Sequence, residues 1–450
     1  MARNLKMTQG HPGKLMMLFS LPLMLGNVFQ QMYTVVDTAI VGKGVGMNAL
    51  ASLGTVDWLN WMFISVAQGL TQGFSVLTAQ KFGQSDEEGL KRSIGLSFSL
   101  TAGIGLLLTL IGQLGLDLFL DMLRVPGSLR ENAELYSRII LAGIPVMIFY
   151  NFCASVLRAV GDSKTPFYAM IIASVTNIAL DCVTVFVLGW GIAGAAVATV
   201  FSQCIACAIC ATKIFKSPLL RFEKRHARPE LAGSKRLLYL GVPMAMQNIA
   251  ISISGMVVQS VVNGFDTGFI AGFTASNKLY GVLEIAALSY GYAVTTYTGQ
   301  NYGAALWERI KKGLHWAELI SVVTSLVIGG AMVLLGRPIT MLFISAEDPQ
   351  LVIRAGDIAY HYLFVMSVSL PILYLLYAYR SVLQGIGNAK IPLLSGVVEF
   401  VIRVAVAMSV SYFGGREEIF LAEPFCWIGA TMLLGISCYY HIKRLEKRRT

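Results

Sequence analysis

Charge is scarce in this chain: Asp, Glu, Lys and Arg make up 13% of its 450 residues, against 55% hydrophobic residues and a mean hydropathy of +0.65. A soluble fold needs more polar cover than that, so the scarcity excludes a water-soluble globular protein and leaves an integral membrane protein. Histidine is nearly absent. The five present, His11, His226, His315, His361 and His441, are scattered without metal-binding spacing, and no Ser/Lys catalytic arrangement accompanies them, which argues against an enzyme embedded in the membrane. Cysteine is sparse as well. Cys204, Cys207 and Cys210 form a C-x-x-C-x-x-C run, but their neighbours Ile205, Ala206, Ala208 and Ile209 belong to an apolar helix, so they read as small packing residues rather than cluster ligands, and no disulfides are implied. Gly42, Gly44 and Gly46 lack the preceding strand and following lysine of a phosphate loop and read as a turn.

What is present is a series of about twelve apolar stretches, each near or above the roughly 20 residues that cross a bilayer. Backbone hydrogen bonding in lipid makes them helices. The predicted spans are 15–42, 49–79, 93–120, 135–158, 166–188 and 191–213, then 237–263, 268–299, 313–343, 355–384, 391–413 and 420–442. The first stretch runs beyond the core of a cleavable signal and is expected to be the first crossing. Residues 1–213 form an expected N-terminal lobe, 214–236 a basic cytoplasmic linker carrying Pro218 and Pro229, and 237–450 a C-terminal lobe with a basic tail. Lys and Arg collect on the cytoplasmic side of membrane proteins. With the N-terminus inside, 26 of 35 basic residues fall there, while Lys43, Arg124, Arg130, Arg138, Arg337, Arg354 and Arg416 fall opposite. Both termini are therefore expected in the cytoplasm, with the chain multi-pass in the inner membrane of the cell. The formal net charge of +10 is explained by anionic lipid next to these loops, and nucleic acid is not an expected partner.

The chain is also written twice. SVLRAVGDSK, beginning at Ser155, returns as SVLQGIGNAK, beginning at Ser381; Pro145 is echoed by Pro371, Pro22 by Pro243, and the AQKFG ending at Gly83 by the GQNYG ending at Gly303. Six helices per copy give two parallel lobes related by a pseudo-two-fold axis along the membrane normal, with a site expected between them. Pro22, Pro145, Pro243 and Pro371 fall inside predicted helices and invite bends, whereas Pro166 and Pro392 suit helix starts.

The copies part company in their buried polar groups: Asp37 stands opposite Val258, Asn177 opposite Arg403 and Asp181 opposite Ala407. An ionisable side chain at mid-bilayer costs about 2.5–3.5 kcal/mol even on a lenient scale, so it is placed toward a cavity or partner. Helical spacing sets Gln30, Tyr33 and Asp37 on one face and Asn177 and Asp181 on another. Two carboxylates in a dry setting suit exchange of protons, while a static hydrogen-bonded lock between helices is the plainer alternative. In the second copy, Glu399 and Arg403 lie one turn apart, equally consistent with an ion pair and a binding role. Lys278 and Glu284 cannot be assumed to pair. Glu284 would attract a cationic substrate, and Tyr374 and Tyr377 with Met244, Met246 and Gln247 offer an adaptable apolar wall.

VVDTAIVG around Asp37, AVGDSKTP from Ala159, TNIALD from Thr176 and GIAGAAVAT ending at Thr199 closely resemble the multidrug and toxic compound extrusion (MATE) family over nearly the whole chain. The resemblance implies an all-α fold of twelve transmembrane helices in two six-helix lobes. It also implies a cation-driven antiporter that expels lipophilic, often cationic compounds by alternating access, without an enzyme's chemistry. Asp37, Asn177, Asp181 and Thr199 match the family's first-lobe cation site, where Asp37, Asn177 and Asp181 are also candidate Na⁺ ligands. Gln30, Tyr33 and Asn151 match its drug-cavity wall, with Gln247, Lys278, Glu284 and Tyr374 as further candidate substrate contacts. No cofactor is expected beyond H⁺ or Na⁺ as coupling ion, and one chain suffices for a two-lobe site. Residues 237–265 and 358–385 contain neither Asp nor Glu, unlike the NorM branch, which favours a DinF-like scheme coupled through the first lobe. The rival is a lipid-linked saccharide flippase of the same superfamily, which would be expected to show a strongly basic cavity for pyrophosphate.

Overall fold

In the computed structural model, residues 5–123, 125–341, 349–413 and 415–447 are described; Arg124, the end of the predicted span 313–343 and the last tail residues lie outside them. Among the described residues the regular structure is all helix, with no strands. In chain order, α1 (Pro12–Gly44), α2 (Met47–Gly83), α3 (Glu87–Met122), α4 (Gly127–Ala142), α5 (Ile144–Ala159), α6 (Lys164–Asp181) and α7 (Gly191–Lys216) make the first copy. The short α8 (Lys224–Ala227) follows, then α9 (Leu231–Val262), α10 (Thr267–Gly303), α11 (Trp307–Met341), α12 (Pro349–Gly385), α13 (Lys390–Phe413) and α14 (Ala422–Glu446). By length and composition, nine helices among the described residues can cross a membrane, ten if α4 and α5 count as one bent span. The long helices left out are α2 and α10, repeat partners whose apolar runs are interrupted by Asp57, Asn60 and Gln68 in one and Asn277, Lys278 and Glu284 in the other.

Two compact units result. The first contains Met1–Met7 and Leu21–Asn248, the second Thr8–Ser20 and Ile249–Thr450. The basic linker of residues 214–236 thus lies within the first unit, and α1 and α9 each divide between units, α1 beside its internal Pro22 and α9 a turn beyond its internal Pro243. The linker is docked rather than loose. His226 is buried, its Nε2 3.1 Å from Glu88 Oε1, and Ser99 Oγ donates to Ala227 O at 2.6 Å. A Cβ on Gly95 would come within 2.6 Å of the His226 carbonyl, so glycine is what lets the strap lie against α3.

The repeated string proves to be a device for turning one helix into the next. Gly161 and Gly387 take φ of 87° and 86°, left-handed values that glycine adopts without a Cβ clash. The following residue then caps the next helix: Asp162 Oδ1 accepts the Thr165 N–H at 2.9 Å, and Asn388 Oδ1 accepts the Ile391 N–H at 3.2 Å. Pro166 and Pro392 sit in the first turns of α6 and α13, where a missing N–H costs little. Ser85 (φ 58°) and Ala305 (φ 55°) mark the equivalent α2–α3 and α10–α11 turns.

The prolines do not all act alike. Pro371 lies within continuous α12, whereas Pro145 starts α5 after a 45° break at Gly143, where a Cβ would come within 2.5 Å of Val200 Cγ2 of α7. The predicted single span 135–158 is therefore a bent pair. Cys153, Cys207 and Cys210 pack with Phe152, Ile209 and Ile214 in one apolar cluster of the first unit.

Backbone contact governs the crossing of α2 with the first part of α9. A Cβ on Gly73 would fall 2.4 Å from Gly241 Cα, and one on Gly69 would fall 2.7 Å from the Ala245 main chain, a small-residue spacing suited to close approach in lipid. Gly73→Val is expected to destabilise by about 1–3 kcal/mol through overpacking; unchanged thermal unfolding in detergent would contradict this packing. In the turn ahead of α3, outside the spans, Asp86 accepts from Lys81 Nζ and the Gly89 N–H, both at 2.8 Å, and these bonds hold its carboxyl below the ordinary range. A depressed folded-state value contributes stability that is present above the ordinary carboxylate pKa and lost as pH falls through the depressed one. Asp86→Ala should therefore lower stability by about 1 kcal/mol at neutral pH, with the difference from wild type vanishing in melts run at strongly acidic pH.

Candidate functional site

Half of the partnerless buried polar side-chain atoms of the first unit, among the described residues, belong to Asp37 and to the stretch from Asn177 to Thr184. Asn177 and Asp181, one turn apart on α6, are both fully buried, and the Asp181 carboxyl lies within hydrogen-bonding reach of Asp37 on α1. Asp37 Oδ1, both Asn177 side-chain atoms, both Asp181 oxygens and Thr184 Oγ1 are buried without a hydrogen-bond partner. Buried polar atoms are ordinarily satisfied, each unmade bond costing about 1–3 kcal/mol, so a cluster of them facing two acids is a place built for something else to bind. The donor set of carboxylate, amide and hydroxyl oxygens suits a proton or a hard cation.

Local structure explains the placing. Directly after Asp181 the chain widens into a π-helical segment, Cys182–Val187, a distortion frequent at functional sites because the extra residue in the turn re-aims side chains. Thr184 belongs to that segment. Its space is secured by glycines on both flanks: a Cβ on Gly194 would meet Thr184 Cβ at 2.9 Å, and one on Gly44 would meet Val185 Cγ1 at 2.4 Å. Tyr136 of α4 and Tyr33 of α1 stand within electrostatic reach of both acids. Tyr136 escaped sequence reading because only the packing of α4 brings it near the acids, and Thr184 because nothing in its run foretells the π segment in which it is buried.

Comparison with known proteins places the chain in a family. The MatE family model matches twice, over residues 22–183 and 243–408, beginning at Pro22 and Pro243 and covering well over half the chain. The chain belongs to the MatE family. Its relatives include the Bacillus subtilis proteins named "Probable multidrug resistance protein YoeA", 31% identical over 74% of each chain, and "Probable multidrug resistance protein YpnP", 30% identical over 76% of each. A solved structure described as the outward-facing conformation of a multidrug resistance MATE family transporter of the MOP superfamily matches with a TM-score of 0.91 at 24% identity over 99% of both chains, which shows the shared fold.

The second unit of this MatE protein handles buried charge differently. Arg403 and Glu399 do not pair with each other. Arg403 Nη2 donates to Glu423 Oε2 at 2.6 Å and its Nη1 to Ser254 Oγ at 2.6 Å, while Glu399 accepts from Arg380, which also reaches Ser395 Oγ at 3.3 Å. Arg380 and Glu399 stand where the first copy has Ala154 and Ala173, so the pair came as a unit, and neither half alone flags it in the sequence. Glu284 accepts from Tyr377 Oη at 2.6 Å, near Tyr280, whose ring stacks on Trp427 at 5.8 Å.

Of the other candidates, Gln30, Tyr33, Asn151 and Thr199 are half-buried in the first unit, and Asn151 donates to Met147 O at 2.9 Å. Gln247 is buried in the first unit, Lys278 is exposed on α10, and Tyr374 is buried with its hydroxyl donating to Leu283 O at 2.7 Å. A cavity of about 630 Å³ opens at the start of α12, and its lining charges are all paired: His361 with Glu417 at 2.7 Å, Arg354 and Arg416 with Asp266 at 3.0 and 2.6 Å, and Asp357 with Arg337 at 2.7 Å.

Arg380 and Glu399 side chains are only 6% and 4% exposed, so breaking the pair leaves a charge stranded. Arg380→Met should cost about 3–5 kcal/mol, and adding Glu399→Leu should recover most of it. Additive losses in a double-mutant unfolding cycle would contradict the pairing.

Proposed function

We propose that this protein is a secondary antiporter that exports lipophilic, often cationic compounds in exchange for protons or sodium, coupled through Asp37, Asn177 and Asp181 with Thr184 beside them. The observation that carries the reading is the convergence of partnerless buried oxygens on two acids within reach of each other. Carboxylates so close in a dry setting need a shared proton or a cation between them. Arrival of that ion neutralises the cluster and draws the α1 face carrying Gln30, Tyr33 and Asp37 toward α6, displacing substrate from a wall that includes Asn151. Its departure on the cytoplasmic side, where both termini lie, resets the site. Glu284, bonded to Tyr377 and near Tyr280, supplies the second unit's attraction for a cationic substrate. The names of the two B. subtilis relatives support drug-like cargo, and the absence of acids from residues 237–265 and 358–385 supports first-lobe coupling of the DinF type.

Energetics limit the exchange. Swapping one proton for one monovalent cation moves no net charge, leaving the pH difference, about 1.4 kcal/mol per unit, whereas export of a neutral compound also feels the potential, about 2.3 kcal/mol per 100 mV. The flippase reading is disfavoured because the buried guanidiniums of Arg380 and Arg403 are committed to Glu399 and Glu423 rather than offered to a pyrophosphate.

In liposomes with sodium and proton gradients imposed independently, Asp37→Asn should insert normally yet lose gradient-driven efflux down to the level of protein-free vesicles. Efflux at the wild-type rate would remove Asp37 from the coupling site.

A further inference from the structure

We propose that Arg403 is a tethered cation: its guanidinium fills, in the second unit, the position that the repeat makes equivalent to the acid cluster of the first, and thereby confines ion coupling to a single cluster. The inference rests on the coupling role of Asp37 and Asp181 for its functional consequence, but not for its structural content. The repeat register is fixed ahead of the site by Ser155/Ser381 and Pro166/Pro392, all at one offset, and it sets Arg403 where Asn177 stands and Ala407 where Asp181 stands. On the first helix of each copy, the register of Pro22 and Pro243 sets Ser254 where Tyr33 stands. The same two helices therefore meet through polar groups in each unit, α1 with α6 through Asp37 and Asp181, α9 with α13 through Ser254 and Arg403.

The two meeting points have opposite charge logic. In the first, oxygens converge and no basic side chain among the described residues bonds to them. In the second, a positive group is already installed. Arg403 is 5% exposed, and its donors engage Glu423 Oε2 and Ser254 Oγ at 2.6 Å each, Cys426 Sγ at 3.4 Å and, at 3.5 Å, the Ile251 carbonyl of α9, which also accepts from Ser254 Oγ. A carboxylate, a hydroxyl and a main-chain carbonyl are the oxygen types that hold hard cations; the guanidinium occupies the place such an ion would take. Its Nε remains buried without a partner, which marks the fit as that of an occupant of a polar pocket rather than a fully satisfied structural lock. The helix follows suit: α13 runs on as α-helix past Ala407, with no counterpart of the π segment that follows Asp181. A covalently held cation cannot leave during a cycle, so this unit contributes a fixed charge where its sister exchanges one.

Removing the tether should expose a latent site for a free cation. The test is sodium-dependent thermal unfolding of the purified full chain in detergent, carried out in an Asp37→Asn/Asp181→Asn background so that the first unit gives no response. Adding Arg403→Ala, or Arg403→Gln should the alanine variant not fold, should create a saturable rise in melting temperature with sodium that choline does not reproduce. Arg403→Lys should remain sodium-insensitive, and Glu423→Gln should abolish the new response. With the first unit's acids intact, Arg403→Gln should raise the cations exchanged per substrate by one in the liposome assay. A folded neutral variant without sodium stabilisation would overturn the proposal, as would failure of both neutral variants to fold with sodium present, since the free ion should then replace the guanidinium. Sodium stabilisation without a change in stoichiometry would keep the latent site but overturn its role in confining coupling.

Discussion

A charge taken out of water must be matched, and in this protein the manner of matching sets the two halves apart. Bringing an ionised side chain into the bilayer interior costs several kcal/mol unless a partner or a bound ion compensates. The second unit meets that cost internally, Arg380 against Glu399 and Arg403 against Glu423. The first unit places Asp37 and Asp181 near each other with, among the described residues, no base bonded to either, which is why the proposed coupling assigns their balance to an ion from outside the chain. Matched charges rigidify; unmatched ones respond to what arrives.

Geometry makes the responsive half possible. The left-handed glycine and side-chain cap at Gly161–Asp162 launch α6 in the direction its twin takes from Gly387–Asn388, so the two halves share a scaffold. Downstream of that turn the two diverge, α6 widening to a π turn after Asp181 while α13 continues unbroken. Gly44 and Gly194 hold that widened turn by contact too close for any side chain. The change in partners of α1 and α9 near Pro22 and Pro243 ties each unit to a piece of helix from the other copy's chain segment.

Much of this was legible beforehand. Helix number, the duplication and the isolation of Asp37, Asn177 and Asp181 follow from apolar run length and from setting one copy against the other, because lipid punishes every unneeded charge. Legibility failed where tertiary contact decides. Glu399 and Arg403 have ideal spacing for each other yet bond elsewhere, since α12 and α14 offer Arg380 and Glu423 at shorter reach. Pro145 and Pro371 look alike in sequence, but only Pro145 follows a Gly143 pressed against Val200 and breaks its helix. Thr184 carries no motif at all; a π turn places it. Residues 214–236 read as a basic linker; that it docks as a strap rests on contacts with Gly95 and Glu88 that sequence does not display.

The most direct measurement is a count of the cations given up when substrate binds. Saturating a concentrated, weakly buffered solution of the purified protein with a lipophilic cation, while a pH indicator and a sodium electrode record the medium, should show protons or sodium released in step with binding, and none from a protein whose Asp37 and Asp181 are both asparagine. Substrate binding at full affinity with no cation released from the wild-type chain would contradict exchange at the acid pair.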